Sequence, residues 1–312
     1  MGYSRSGTKL LCNLIQDGSD GRILSVGELH LFGRLIDSSN FDLPLEWTDI
    51  VRVCEQFMKK KNCPYTTLDD LLHLFDQKEI SEYKKSQCLN IFFDKLKADL
   101  QITSIIDGTP RNAYYVNNIL KLFPNCKIIY MQRDPRSCIA SQKIKPSLLR
   151  LKSNEQEAQR LEKNYNPALM ARFWVNSYGN FMKWYPRKNI LKLEYEDLIA
   201  NPEQSLAKVG SFVELEDLPS LSNRVSKGPK QHYSEILTEN EILAIEYMFM
   251  DGRILSTTVN GPLTTVWRYV VHYQLLGLAL MRLPGLVTKN RNRFRSIRHE
   301  IKYRLFANKK KI

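Results

Sequence analysis

The chain opens with MGYSRSGTKLL, residues 1–11. Gly2 and Gly7 stand five apart, the spacing of the two glycines in the nucleotide-phosphate loop G-x-x-x-x-G-K-[ST]. The next two residues are reversed. Thr8 takes the lysine position, and Lys9 takes the position of the hydroxyl that binds magnesium. A glycine-rich turn running into a helix N-terminus presents unpaired N–H groups to an anion. Ser6, Gly7, Thr8 and Lys9 supply those donors, and Arg5 adds a fixed cationic fork. A magnesium NTPase also needs a carboxylate at the end of an apolar strand. Here the apolar run CKIIYMQ (126–132) leads into Arg133, a cation. The loop reads as a cradle for an anionic ester, with no metal ligand set around it.

Working outward, the spacing predicts a helix from Thr8 to about Ile15, a turn at DGSDG (17–21), and mainly helix over 46–60 and 66–100. ITSIID (102–107) and NILKLEY (189–195) read as strands beside CKIIYMQ. Residues 112–122 read as helix. Asp134-Pro135 reads as an N-cap with proline at the first helical position, opening a helix to Lys143. One long helix is expected over 155–184, and another from Pro202. Strands alternating with helices predict an α/β fold with a parallel sheet covered on both faces. In such sheets ligands bind at the carboxyl ends of the strands. Thr109–Arg111, Arg133–Ser141 and Tyr195 all fall at such ends.

The 312 residues carry a formal charge of +13. Residues 285–312 hold ten Lys and Arg against the single Glu300, a net of +9, which leaves +4 for the rest. A mildly basic body suits an anionic ligand. The six cysteines are scattered, without a C-x-x-C pair or a Cys/His cluster, so they read as thiols of a reducing compartment rather than zinc ligands. No signal-peptide pattern appears, and the longest apolar stretch, Tyr273–Met281, is far short of the ~20 residues of a spanning helix.

Arg133 and Ser141 are eight apart, and Ser137 and Ser141 share a helix face. Read alone, Arg133–Asp134 is a local ion pair and Ser141 a surface serine. Together the motifs resemble the sulfotransferases that use 3′-phosphoadenosine 5′-phosphosulfate (PAPS). YSRSGTKLL (3–11) is similar to the family's 5′-phosphosulfate loop and RDPRSCIAS (133–141) to its 3′-phosphate motif. LEYEDLIANPEQSLAKVGSFV (193–213) resembles its Tyr-Glu-Asp-Leu strand and following helix. GELHLF (27–32) and GTPRNAYYVNNILKLFPNCKIIYMQRD (108–134) resemble the carbohydrate- and tyrosyl-protein-like branch. The resemblance covers about residues 2–250.

That resemblance implies a P-loop-type α/β sandwich with helices flanking a central parallel sheet, over residues 1–260. A helical basic extension would follow over 261–312. It implies that the Thr–Lys order is normal here, because no metal is held. Arg5 would hold the 5′-phosphate and sulfuryl group with Ser6, Gly7, Thr8 and Lys9. Arg133 and Ser141 would hold the 3′-phosphate, and Tyr195 would lie near the adenine. Lys227 and Gly228, with Lys230, match a late basic loop, SKGPKQHY (226–233), that closes over the 3′-phosphate; as plain sequence they are equally a solvated loop.

Transfer needs a general base within reach of the acceptor hydroxyl. Glu28 and His30 are the candidates. In a helix only one could face the acceptor, while in an extended stretch both could. The resemblance favours Glu28. Two departures stand out. Gly108 occupies the position where many relatives carry a lysine before Thr-Pro, with Lys9 or Arg111 as substitutes. The apolar strand that relatives place before the phosphate loop is missing or truncated.

The expected activity is transfer of a sulfuryl group from PAPS to a hydroxyl of a glycan, glycolipid or similar acceptor. The alternative is a catalytically weak or inactive relative that binds the nucleotide or a glycan; a small-molecule kinase is a third reading. In the tail, Phe294, Ile297, Ile301 and Leu305 form an apolar stripe beside arginines. Such a helix either docks on its own domain or meets an anionic membrane surface. No nucleic-acid recognition motif is present. A cytoplasmic protein is expected, peripheral on a membrane through the tail, with a Golgi-type anchor left open should a segment precede Met1.

Overall fold

The computed structural model describes residues 1–32, 41–225, 232–249 and 262–281. The expected boundary at 260/261, the basic tail, and Lys227, Gly228 and Lys230 lie outside the described residues. The residues gather into two compact units. The first comprises Met1–Gly2, Gly7–Gln132 and Phe181–Lys227; the second comprises Tyr3–Ser6, Arg133–Asn180 and Gly228–Ile312.

The first unit is mixed α/β. Strand β1 (Ile23–Ser25) pairs in parallel with β2 (Ser104–Ile106), Ile23 opposite Ser104. Strand β3 (Ile128–Gln132) pairs in parallel with β4 (Ile190–Glu194), Ile128 opposite Ile190. The parallel strands expected at 102–107, 126–132 and 189–195 are therefore present. Together with β1, they form two two-stranded sheets among the described residues, where a single sheet was expected. On the edge of β3 away from β4 the first residues pair: the Met1 amino group donates to the Ile129 carbonyl at 2.7 Å, Met131 N–H donates to the Met1 carbonyl at 2.9 Å, and Gly2 bridges Met131. A cavity of about 700 Å³ is lined by Ile23, Ile106, Ile129 and Met131 of these strands and by Leu11 and Ile15.

The helix Thr8–Asp17 follows the phosphate-loop candidate. Leu11, Leu14 and Ile15 recur at three- and four-residue spacing, so one stripe faces inward. It packs with Met131, Leu193, Leu198, Leu206 and Val209 in the core of this unit. The predicted helical stretches 46–60 and 66–100 contain Trp47–Met58 and Cys88–Leu100, with Phe57 against Phe92 edge-on at 5.8 Å. Residues 112–122 divide into a 3-10 turn, Pro110–Tyr114, and the helix Val116–Leu122.

In the second unit the helix Pro135–Lys143 has the predicted bounds. Asp134 caps it by accepting from Arg136 N–H at 2.7 Å and Ser137 N–H at 3.3 Å. Cys138, Ile139, Trp174, Val175, Ile245 and Phe249 form its core. The single helix expected over 155–184 is two, Glu155–Asn164 and Pro167–Met182. Pro167 offers no N–H to continue the first helix, and Asn166 Oδ1 instead accepts from Leu169 N–H at 2.9 Å, starting the second. All six cysteines are free thiols. Burial pushes Cys12 up to about 11 and Cys54 and Cys88 up to about 12, so these three are poor nucleophiles.

Candidate functional site

In the second unit the opening loop meets the helix Pro135–Lys143. Ser6 N–H donates to the Tyr3 carbonyl at 3.1 Å, closing a turn in which Arg5 takes a left-handed φ of 72°. From that turn Arg5 Nε–H donates to Ser141 Oγ at 3.0 Å. Arg133 Nη1–H donates to the Arg5 carbonyl at 2.9 Å, and Trp174 Nε1–H donates to the Arg133 carbonyl at 3.1 Å. Two arginines and a serine that the sequence places in two distant motifs are thus one cluster. Arg133 is buried and Arg5 exposed, so one cation is fixed by packing and the other reaches solvent. Ser6 is fully buried, and its hydroxyl has no partner among the described residues.

The cap of this helix is itself anchored. Arg136 Nη2–H donates to Asp134 Oδ2 at 2.6 Å, and its Nη1–H donates to Glu246 Oε1 at 3.0 Å. Glu246 Oε2 accepts from Arg268 Nη2–H at 2.8 Å, with both of these side chains almost wholly buried. The Arg136 guanidinium also lies 4.7 Å from the centre of the Tyr233 ring. Burial opposes the charge on Arg136, but the hydrogen bonds of Asp134 and Glu246 outweigh it and hold the guanidinium protonated.

In the first unit Gly7, which has no side chain to offer as a cap, precedes the helix Thr8–Asp17 at φ 96° and ψ 7°. Its first amides are left for another acceptor. Thr8 is buried and Lys9 exposed. Tyr195 opens the helix Tyr195–Ala200 directly after β4, one step past the strand end where the sequence placed it. Its ring lies flush against Gly7: a Cβ on Gly7 would sit 2.6 Å from Tyr195 Cδ2.

Glu28 and His30 lie in an irregular stretch between β1 and Phe32. His30 takes a left-handed φ of 56°, which brings Nε2 to 3.1 Å from Glu28 Oε2. The two candidates are therefore in direct contact. The turn after β2 holds this stretch. His30 N–H donates to Thr109 Oγ1 at 3.1 Å, and Gly108 N–H donates to the Gly27 carbonyl at 2.8 Å. Asp107 fixes that turn by accepting from Thr109 N–H at 2.8 Å and from Asn112 Nδ2–H at 3.0 Å. Lys60, which sequence reasoning missed, donates from Nζ to the Glu28 carbonyl. A side chain at Gly108 would begin 3.0 Å from Cys12 Sγ, tighter than ordinary contact. Arg111 is buried beside Tyr115, with Nη2 3.4 Å from its hydroxyl.

The sequence profile of the sulfotransferase family matches residues 1–219. The chain belongs to the sulfotransferase family. The matched span contains Arg5, Glu28, His30, Arg133, Ser141 and Tyr195. Among solved structures, this sulfotransferase is similar to sulfotransferase STF9 from Mycobacterium avium at 14% identity and a TM-score of 0.45, over 83% of this chain and 77% of that one. No described helix of the sulfotransferase is long and apolar enough to cross a membrane.

Proposed function

We propose that the chain transfers the sulfuryl group of PAPS to a hydroxyl of a glycan, glycolipid or similar acceptor, without a metal. The observation that carries the donor assignment is the Arg5–Ser141 hydrogen bond, together with the Arg133–Arg5 contact. These residues lie in the two motifs that resemble the 5′-phosphosulfate and 3′-phosphate loops. In this reading Arg133 and Ser141 hold the 3′-phosphate. Arg5, Ser6, Gly7, Thr8 and Lys9 hold the 5′-phosphosulfate. Tyr195 contacts the adenine, and the resemblance adds Lys227 and Gly228 to the 3′-phosphate side.

The acceptor hydroxyl passes its proton to the Glu28 carboxylate, with His30 orienting that carboxylate through the 3.1 Å contact. The acceptor oxygen then attacks sulfur in line, and the sulfur–oxygen bond to the 5′-phosphate breaks. Negative charge grows on the departing bridging oxygen. Arg5 and the uncapped amides of Thr8 and Lys9 offset it; one such preorganised donor contributes about 3–4 kcal/mol to transition-state stability. Lys60 and the Thr109 turn hold the Glu28–His30 stretch in place.

Gly108 favours a second reading, a relative that binds the nucleotide but transfers slowly or not at all, because no cation reaches the sulfuryl group from that position. One experiment separates the two. Calorimetry with 3′-phosphoadenosine 5′-phosphate tests the site, and transfer of labelled sulfate to a panel of sugars, glycolipids and phenols tests the reaction. Binding with transfer supports the first reading, and binding without transfer the second. Absence of nucleotide binding overturns both.

A further inference from the structure

The helix Pro262–Met281 has two unlike sides. Arg268, Val271, His272 and Leu276 are buried. They turn toward Ala168, Ala244 and Glu246, and Asn166 Nδ2–H reaches the Leu275 carbonyl at 2.7 Å. The opposite side carries Val266, Trp267, Tyr269, Val270 and Tyr273, exposed by 61, 52, 53, 42 and 43%. Five large apolar or aromatic side chains within eight residues are outside the range of scattered surface hydrophobics. Their rings are ordered against one another: Tyr269 and Tyr273 lie 4.7 Å apart, and both pack near Tyr247.

We propose that this face is a membrane-contact surface whose occupant is an anionic bilayer, independently of which donor or acceptor the protein uses. Two observations select that occupant. Trp and Tyr suit the lipid–water boundary, where an apolar ring body is buried and the polar tip stays hydrated. The chain from Pro262 to His299 contains no Asp or Glu, and residues 285–312 carry a net +9. Anionic headgroups attract a chain with this excess of cations to the lipid surface. A second copy docked on the same face would join two chains of formal charge +13 each, and like charge opposes that contact. The helix lies on the bilayer and does not cross it.

The test uses the full chain with phosphatidylcholine vesicles and with vesicles of phosphatidylcholine and phosphatidylserine. Sedimentation is expected to carry the protein down with the phosphatidylserine vesicles at least tenfold more than with phosphatidylcholine alone, and less at high salt. The variant W267S/Y269S/Y273S changes only exposed side chains. It is expected to stay folded, with a small drop in thermal midpoint from the lost ring contacts to Tyr247, and to lose at least tenfold in vesicle binding. Binding of the variant equal to the parent protein would overturn the proposal, because the tail alone would then suffice. So would equal binding to both vesicle types. A concentration-dependent dimer that the triple variant abolishes, with no vesicle binding, would assign the face to a second copy instead.

Discussion

Arg5 Nε donates to Ser141 Oγ at 3.0 Å, joining residues 136 positions apart. The contact places the side chain of the opening loop on the helix that Asp134 caps. Bound nucleotide would exchange this contact for two: the Arg5 guanidinium would donate to the 5′-phosphosulfate and the Ser141 hydroxyl to the 3′-phosphate. Arg5→Ala removes a charged donor, and such bonds contribute about 1.5–3 kcal/mol. Affinity for 3′-phosphoadenosine 5′-phosphate should fall by roughly 10- to 150-fold, measured by calorimetry, while Ser141→Ala falls by roughly tenfold or less. Unchanged affinity in both variants would detach this cluster from the nucleotide.

Glu28 and His30 make a separable prediction. Glu28→Gln keeps the shape of the side chain and removes its capacity to take a proton. Transfer of labelled sulfate should drop by about 10²–10⁴-fold, with nucleotide affinity unchanged. His30→Gln can still donate to Glu28, so it should lose less. The assignment fails should Glu28→Gln transfer at the parent rate while His30→Gln does not; His30 would then be the base.

Gly7 is required by geometry on two counts. Its φ of 96° strains any side chain, and a Cβ would meet Tyr195 Cδ2 at 2.6 Å. Gly7→Ala should lower stability by about 1–3 kcal/mol and weaken nucleotide binding with it. Replacing Tyr195 by Leu in the same protein would relieve the clash but not the backbone strain. Partial recovery of the urea midpoint is therefore the expected result, and full recovery would place the whole effect in the ring contact.

Local chemistry made much of this legible. The Asp134 cap, Pro135 at the helix start and the apolar stripe of Leu11, Leu14 and Ile15 each depend on residues a few positions apart, so sequence spacing carries them. β1 was missed because it is three residues long and exists through β2, its partner around Ser104. The Glu28–His30 contact turned on a left-handed φ at a residue that is not glycine, which no spacing announces. The break at Pro167 is visible as a proline, but a proline can equally sit at a kink within one helix, and the Asn166 cap that separates the two forms only in the folded chain. Glu246 carried no local signal at all: it meets Arg136 across 110 positions and Arg268 across 22.

That pairing predicts an asymmetry. Glu246 is the anion between Arg136 and Arg268 and is 2% exposed. Removing one partner of a buried ion pair leaves uncompensated charge, which destabilises by about 3–5 kcal/mol. Glu246→Met should lower the urea midpoint accordingly. Glu246→Met combined with Arg268→Met should be markedly less damaging than Glu246→Met alone, since Arg136 retains Asp134. A double variant worse than the sum of its parts would show that packing, not charge, governs this site.

His272 gives the pH dependence its sign. Its Nδ1–H donates to the Ala244 carbonyl at 2.8 Å, and Nε2 is buried without a partner among the described residues. Burial holds its pKa below the ordinary 6.5, the Ala244 bond pulls it back up, and the charge of Arg172 pushes it down again. The unfolded chain therefore takes up a proton before the folded one does. Stability from this group is fully present above about pH 6.5 and is lost as pH falls toward and through the lower folded value. His272→Phe removes the titration along with one hydrogen bond, a loss of about 1 kcal/mol at neutral pH. Urea midpoints taken between about pH 7.5 and 5.5 should decline less in the variant than in the parent protein. Parallel declines would mean that a proton reaches His272 equally well in both states, and the buried, neutral ring would have to be given up.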